Sequence, residues 1–457
     1  GSNYIFSKKG YADLPRDFTT AEANLEPTKM NDKSVLVIFD HKLSNNWKMT
    51  AQAAYFNYQQ KGASLWPQWP VAFDPQDDGI LYRGISIWDV LGTSKIGQMF
   101  VNGEVQTGAV SHKILAGLDM SNKEYYHDWN QGGPLGDPLN IYAPVHGNTS
   151  VPVFDRSKNI RERGVRLYGG YTGLYVQDEL GFFDDALRLT LAGRYTTLKS
   201  GEYTDEFKSN RFTPRIGLSY SINKNTAVYF VKDESFLENY GSDWQGKSFD
   251  PITGGNIEVG VKKDWVNGKW NSAVSVYQIT RNNVQTTDFD HPHPAGGYYT
   301  RQSGQQKTKG VEVDIRGQIV RGLDVIINYA YTEAKVTKDS DKSVIGTQVA
   351  GSSRHIQNAW LNYRMDRGAL TGFGISVGYQ YQVKRSPWYV FDNSENSLPD
   401  YFRLDGSLSY QKEKIGFNLV VNNILNKYLY SGAPYEDYFY WQTEPGTNMR
   451  FSVSYRF

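Results

Sequence analysis

The last nine residues of the chain alternate without a break. Met449, Phe451, Val453, Tyr455 and Phe457 fall on one side, and Arg450, Ser452, Ser454 and Arg456 on the other. Period two marks an extended strand with two unlike faces. A soluble sandwich could bury the apolar face, but the pattern recurs at membrane-crossing length, which argues against that. Phe373, Ile375, Val377, Tyr379, Tyr381 and Val383 alternate with Gly374, Ser376, Gly378, Gln380, Gln382 and Lys384. A transmembrane β-strand needs roughly 9–11 residues at ~45° tilt, and this run meets that length. Its small or polar face would look into a wet lumen and its apolar face into lipid.

Other segments repeat the division. Leu187, Leu189, Leu191, Gly193 and Tyr195 oppose Arg188, Thr190, Ala192, Arg194 and Thr196. Leu323, Val325, Ile327, Tyr329 and Tyr331 oppose Asp324, Asn328 and Thr332, with Ile326 and Ala330 as exceptions. Phe402, Leu404, Leu408 and Tyr410 oppose Arg403, Asp405, Ser407 and Ser409; Ile415, Phe417, Leu419 and Val421 oppose Asn418 and Asn422. Inward Arg, Asp and Asn at this density need water or a packed polar plug.

Composition agrees with this reading and narrows the function. No run approaches the ~20 apolar residues of a membrane helix. A mean hydropathy of −0.56 is no obstacle to a barrel, because only alternate residues meet lipid. Aromatic residues make up 14% of the 457 residues, with 33 Tyr, which suits both membrane interfaces and ligand-gripping loops. The absence of Cys excludes disulfides and thiolate metal sites. A net charge of +1 gives no field for nucleic acid. Residue 1 opens no signal peptide, which suggests a mature product or an excised piece.

Two kinds of connection alternate. Tight polar turns stand at 44–46, 184–185, 223–225, 267–269, 321–322 and 412–414, rich in the Asn, Asp and Gly of hairpins. Long segments occupy roughly 61–79, 128–164, 237–253, 287–306, 338–352, 386–397 and 429–446, placed by turn chemistry and loss of alternation. All short turns then share one end of the sheet, as in bacterial outer-membrane barrels. The count is about 17 strands. Single-chain bacterial barrels have even numbers, so an odd count is a problem. Parity puts the C-terminus on the short-turn side and residues 1–32 on the long-loop side. The chain is therefore expected to begin inside an extracellular loop, with earlier strands missing.

The residues resemble the barrel of TonB-dependent siderophore receptors. Residues 107–119, Thr-Gly-Ala-Val-Ser-His-Lys-Ile-Leu-Ala-Gly-Leu-Asp, look like the family's turn and "H-x-x-x-x-G-x-D" strand. Tyr175-Val176-Gln177-Asp178 resembles "Y-V-Q-D", and residues 213–220 resemble "T-P-R-x-G-L-x-Y". Glu258-Val259-Gly260-Val261-Lys262 matches "E-x-G-x-K", and Gly310-Val311-Glu312 matches "G-x-E". Asn423-Ile424-Leu425-Asn426-Lys427-Tyr428 is similar to "N-L-F-D-K-x-Y". Each motif is weak alone; their order over most of the chain carries the match. Arg354-His355 departs from a pair that often contains Pro.

The resemblance implies an all-β, antiparallel transmembrane meander, about 17 strands of a barrel of 22, over residues 1–457 and without a plug domain. It implies a non-enzymatic, active importer of ferric siderophores in the Gram-negative outer membrane. Iron would arrive as chelated cargo, with no resident cofactor. Partners would be the siderophore, TonB through a missing N-terminal segment, the barrel-assembly machinery acting on the terminal aromatic Phe457, and outer-membrane lipid. The alternatives are a passive porin, a related receptor for cobalamin or glycans, and an outer-membrane enzyme.

Candidate cargo residues are the loop aromatics Trp66, Trp69, Tyr125, Tyr126, Trp129, Trp388, Tyr389, Tyr438, Tyr440 and Trp441, with Tyr435 and Phe439 nearby. Rigid rings offer contact area at little entropic cost. The plainer reading is an interface girdle and loop packing, above all for Tyr125 and Tyr126, which follow directly on a strand. His291-Pro292-His293 has no Cys or carboxylate pair to complete a metal set, so a solvated loop is favoured. Asp178-Glu179 reads as a lumen or rim charge. No nucleophile elbow or phosphate loop is present.

Overall fold

The structure is a computed structural model that describes residues 4–68, 73, 79–147, 149–202, 205–388, 398–435 and 438–457. Seventeen strands form one antiparallel sheet. They are β1 (Lys29–Lys42), β2 (Trp47–Lys61), β3 (Asp89–Thr107), β4 (Val110–Asp128), β5 (Val165–Phe182), β6 (Leu187–Glu202), β7 (Asp205–Asn223), β8 (Thr226–Leu237) and β9 (Ile252–Trp265). There follow β10 (Trp270–Pro292), β11 (Tyr298–Val320), β12 (Leu323–Lys338), β13 (Ser353–Arg364), β14 (Phe373–Arg385), β15 (Tyr401–Lys412), β16 (Ile415–Asn422) and β17 (Asn448–Tyr455). Each pairs with the next in sequence. Among the described residues, β1 pairs only with β2 and β17 only with β16, so the sheet keeps two open edges. Both edge strands are exposed along their whole length.

Burial is inverted relative to a soluble protein. Outward Leu191, Val259 and Phe451 are 45%, 49% and 63% exposed, whereas inward Thr196 and Ser200 are 5% and 0% exposed. Water would reverse that order, so the apolar face needs a lipid solvent.

Connections alternate between the two ends as expected, although two at the long-loop end, 203–204 and 293–297, are brief. Short ones lie at 43–46, 108–109, 183–186, 224–225, 266–269, 321–322, 365–372 and 413–414. Gly108 adopts φ +62° in the two-residue turn between β3 and β4, which the left-handed region reserves largely for Gly. The turn at 365–372 carries no hairpin signature and was missed. The β6–β7 connection, 203–204, lies outside the described residues.

The expected loop over 287–306 needs correction. β10 and β11 continue to Pro292 and from Tyr298, so only 293–297 joins them. Their ladder runs on through Thr286, Thr287 and Asp288, with irregular register between Asn282 and Pro292. Past the apolar belt both faces meet water, so alternation fades while backbone pairing persists. The loop expected over 61–79 runs on to 88, and it and the loop over 128–164 hold short strands, Ala63–Pro67, Arg83–Ile87 and Gly132–Pro134, which form a three-stranded sheet.

Residues 4–28 lie on the long-loop side. Tyr4–Ser7 pairs with Phe439–Gln442, which also pairs with Tyr430–Tyr435. The only helical turns among the described residues are Ile160–Arg163 and Lys342–Val344.

Candidate functional site

The long-loop end is a packed cap. Its core joins Ile5, Phe6 and Leu14 of the N-terminal segment to Leu81, Ile141 and Leu398, and to Tyr430, Tyr438 and Trp441 of the last long connection. Trp441 is fully buried; its Nε1–H donates to the Tyr428 hydroxyl at 3.1 Å, and that hydroxyl donates to the Leu14 carbonyl at 3.0 Å.

Ionic latches tie the same segments. Arg83 meets Glu22 at 2.6 Å with both side chains 1% exposed. Arg83 also donates to the Thr20 carbonyl at 2.8 Å and the Asp137 carbonyl at 3.1 Å. The Gly147 N–H donates to Glu22 at 2.5 Å. Burial pushes the Glu22 carboxyl up, but the Gly147 N–H and Arg83 outweigh it and hold the pKa below the usual value. A second latch sets Asp89 between Arg156 at 2.9 Å and Arg163 at 2.6 Å, and Arg163 also pairs with Asp128.

Four rings from four segments meet in this cap. Tyr4 lies 5.3 Å from Trp66, 5.9 Å from Trp388 and 5.4 Å from Tyr440, and Trp388 lies 5.3 Å from Tyr440. Trp66 is 38% exposed, and the other three are half-buried. A second group places Trp129 5.4 Å from Trp88 and 4.0 Å from His127, which lies 5.8 Å from Tyr125. Such walls suit a ligand with a large, weakly charged surface.

The other candidates separate. Trp441 and Tyr438 are corrected to packing residues, because neither leaves surface for a ligand. Tyr126 shares the outer face with Leu118 by strand parity and lies under the Arg161 guanidinium at 5.7 Å, away from the lumen. Trp69 and Tyr389, and the side chain of Tyr435, lie outside the described residues. Tyr4, Trp88 and His127 were missed: Tyr4 falls in the N-terminal segment rather than in one of the long connections, and Trp88 borders a strand.

Other motifs resolve into structure. His291 stacks on Trp244 at 4.0 Å and 12°, and its Nδ1 lies 2.9 Å from Asp288. Period two splits Asp178 from Glu179. Glu179 faces inward beside Lys113 at 3.5 Å, whereas Asp178 shares the outer face with Leu174 and Val176 and meets His112 at 2.8 Å. The expected lumen or rim position therefore fits Glu179, and Asp178 is corrected to the outer face.

A family described as "TonB dependent receptor-like, beta-barrel" matches residues 2–424. This chain belongs to that family. It is therefore a receptor barrel of the Gram-negative outer membrane, and not an enzyme. It is 25% identical to the metal-pseudopaline receptor CntO of Pseudomonas aeruginosa, over 91% of this chain and 58% of that protein. It is 25% identical to the ferrichrome outer membrane transporter/phage receptor of Escherichia coli, over 91% of this chain and 57% of that protein. It is also 25% identical to the ferrioxamine B receptor of Salmonella typhimurium, over 75% and 48%. The chain thus spans about half to three-fifths of the length of these relatives. Among solved structures, the ferric preacinetobactin receptor BauA of Acinetobacter baumannii superposes with a TM-score of 0.73 at 18% identity, covering 94% of this chain and 63% of that one. The pyoverdine receptor FpvA of P. aeruginosa gives 0.74 at 21% identity, covering 94% and 62%.

Membrane placement makes one face sensitive to charge. Val176 is 56% exposed on the outer face of β5. Val176→Arg in the full-length receptor is expected to cost ~2–4 kcal/mol of folding free energy in lipid, whereas inward Gln177→Arg should cost little. Urea titration of vesicle-inserted protein measures both; equal costs would contradict the assigned faces, and a larger cost at Gln177 would reverse them.

Proposed function

We propose that this chain is the barrel of an active importer that captures a ferric siderophore at the extracellular end and passes it inward with energy supplied through TonB. The supporting observation is the meeting of Tyr4, Trp66, Trp388 and Tyr440 from four separate segments within a packed cap. A siderophore surrounds its metal with its own ligands, so its receptor needs shaped, largely apolar walls rather than metal-ligating side chains. Iron is cargo in this reading and not a cofactor.

A passive porin fits less well. An open channel has no use for a hydrophobic core and two buried ionic latches across its mouth. Cobalamin or a glycan would also meet aromatic walls, so the ligand panel must include them. The direct test is quenching of Trp fluorescence in the full-length receptor by iron-loaded and iron-free siderophores, cobalamin and oligosaccharides. Saturable quenching by an iron-loaded siderophore at micromolar or lower concentration is expected. Saturation only by cobalamin or glycan would reassign the cargo, and no saturation by any would defeat the reading.

The C-terminal aromatic has a separate role in this proposal. Phe457 lies fully exposed beside Tyr455, their rings 5.3 Å apart. As a recognition element for the barrel-assembly machinery, it acts before the receptor is folded. Phe457→Ala should lower outer-membrane levels several-fold while the receptor that does insert keeps its cargo affinity. Immunoblots of membrane fractions paired with binding measure this, and normal levels with weakened binding would contradict it.

A further inference from the structure

The inward face of β6 and β7 carries three arginines that differ in what holds them. Cross-strand pairing sets Asp119, Gly173, Thr196 and Arg211 in one row on that face, and Gly117, Tyr175, Arg194 and Thr213 in the next. The row after that holds Gln177, Ala192, Arg215 and Asp233. Arg194 is fixed. It reaches across β5 to Asp119, with Nη1–H donating to Oδ2 at 3.1 Å and Nη2–H to Oδ1 at 2.7 Å, and its Nε–H donates to the Thr196 hydroxyl at 2.9 Å. The two can meet because Gly173 stands between them, where a Cβ would overlap Nη2 of Arg194. The guanidinium also lies 5.7 Å and 5.8 Å from the rings of Tyr171 and Tyr175.

Arg211 and Arg215 are held by nothing. Neither side chain makes an ion pair or a hydrogen bond to a described residue, and the Arg211 Nε is buried without a partner. Arg215 is exposed. The ladder between β7 and β8 stops at Arg215 and Asp233, so Arg211 has no cross-strand neighbour on β8, and Asp233 stands beside Arg215 without pairing with it. Four residues at ~3.4 Å each set the two arginine Cα atoms ~14 Å apart on one face. Thr213 lies between them, and its own neighbour Arg194 is turned the other way, towards Asp119. Two long cationic side chains thus flank one stretch of inner wall and share no carboxylate of the protein. A guanidinium fork matches a carboxylate with two parallel hydrogen bonds.

We propose that Arg211 and Arg215 bind a free carboxylate of the cargo, so that the receptor takes a carboxylate-bearing chelate of iron in preference to a neutral one. This rests on the import reading and deepens it by naming the charge of the cargo. The metal-binding oxygens of a chelate face its iron, so a carboxylate outside that set is the part that a guanidinium can grip. The rings of the cap supply contact area and discriminate charge little, whereas paired cations set specificity by charge. The lumen is wet, and its charges are screened over ~8–10 Å, so the discrimination should shrink as salt rises.

The test titrates the full-length receptor with a matched pair of ferric chelates. One is a trihydroxamate carrying a pendant carboxylate, and the other is the same trihydroxamate with that carboxylate converted to its methylamide. The wild type should bind the carboxylate form at least about tenfold more tightly, the worth of a charge-assisted hydrogen bond. Arg211→Gln and Arg215→Gln should each cut that preference about threefold, and the double variant should abolish it. Lysine at both positions should keep a smaller preference, because the charge remains and the fork is lost. Affinity for the methylamide should stay within about twofold throughout, which shows that each variant is folded. Lys224→Gln, in a short turn at the opposite end, should change nothing. Equal binding of both forms by the wild type, or an undiminished preference in the Gln variants, would overturn the proposal and leave the import reading standing. Binding of neither form would sink both. Equal loss of affinity for the two forms, with a lowered melting temperature of the unliganded receptor, would overturn it differently, by assigning the arginines to a carboxylate of the receptor itself.

Discussion

Arg83→Met in the full-length receptor should loosen the extracellular cap by ~3–5 kcal/mol, because it leaves the Glu22 carboxylate buried without its cation. Arg83 and Glu22 are both 1% exposed, and Arg83 also holds the Thr20 carbonyl of the same N-terminal segment and the Asp137 carbonyl of another. Amide exchange around residues 20–25 and 132–141 should then speed up by two to three orders of magnitude or more, while the ladders of β4 and β5 exchange as before. Pairing the change with Glu22→Gln removes the orphaned charge and should recover part of the loss. The latch is also pH-dependent. The folded state lowers the Glu22 pKa, so its contribution is complete above the usual glutamate range and fades as pH falls through the lowered value. Cap protection should therefore be flat at neutral pH and decline only in acid. Unchanged exchange in Arg83→Met would show that the latch does not hold the cap.

Trp66→Ala and Trp388→Ala should each weaken cargo binding at least about thirtyfold, or ~2 kcal/mol, the signature of a desolvated aromatic anchor. Tyr4 bridges them at 5.3 and 5.9 Å, so Tyr4→Ala should act in the same direction and not additively with either. Trp441→Ala is the contrasting case. Its ring is fully buried in the cap core, and its removal should cost ~3–5 kcal/mol of cap stability. It should lower receptor levels and raise protease sensitivity, while correctly folded protein keeps its affinity. Titration of each variant beside limited proteolysis separates the classes. Loss of affinity in Trp441→Ala with an intact cap, or full affinity in Trp66→Ala and Trp388→Ala, would transfer the role to other side chains.

How much of this was legible follows from which solvent each residue meets. Lipid imposes one apolar face along every membrane-crossing strand, so runs such as 187–195 and 373–383 announce themselves by period two. The alternation of turns and loops then orders the sheet without long-range information. Beyond the belt that constraint ends. Thr286, Thr287 and Asp288 stay paired with β11 although the register shifts on either side of them, and nothing in their polarity distinguishes them from loop. The cap was still less visible. Tyr4, Trp66, Trp388 and Tyr440 are brought together by folding over hundreds of residues, and loop packing leaves no periodic trace. Aromatic content pointed to segments that meet in the cap, but it could not separate Trp441, which packs, from Trp66, which is exposed.

The central claim is that this barrel belongs to an energised importer of chelated iron. Its most direct test is uptake of radioactive iron, presented as a panel of ferric siderophores, by cells that lack their own receptors and express the full-length protein. Uptake should saturate with one class of siderophore and stop when an uncoupler collapses the inner-membrane proton gradient, while cell-surface binding of that siderophore persists. Uptake that rises linearly with concentration, ignores the uncoupler and admits unrelated small solutes would instead identify a passive channel.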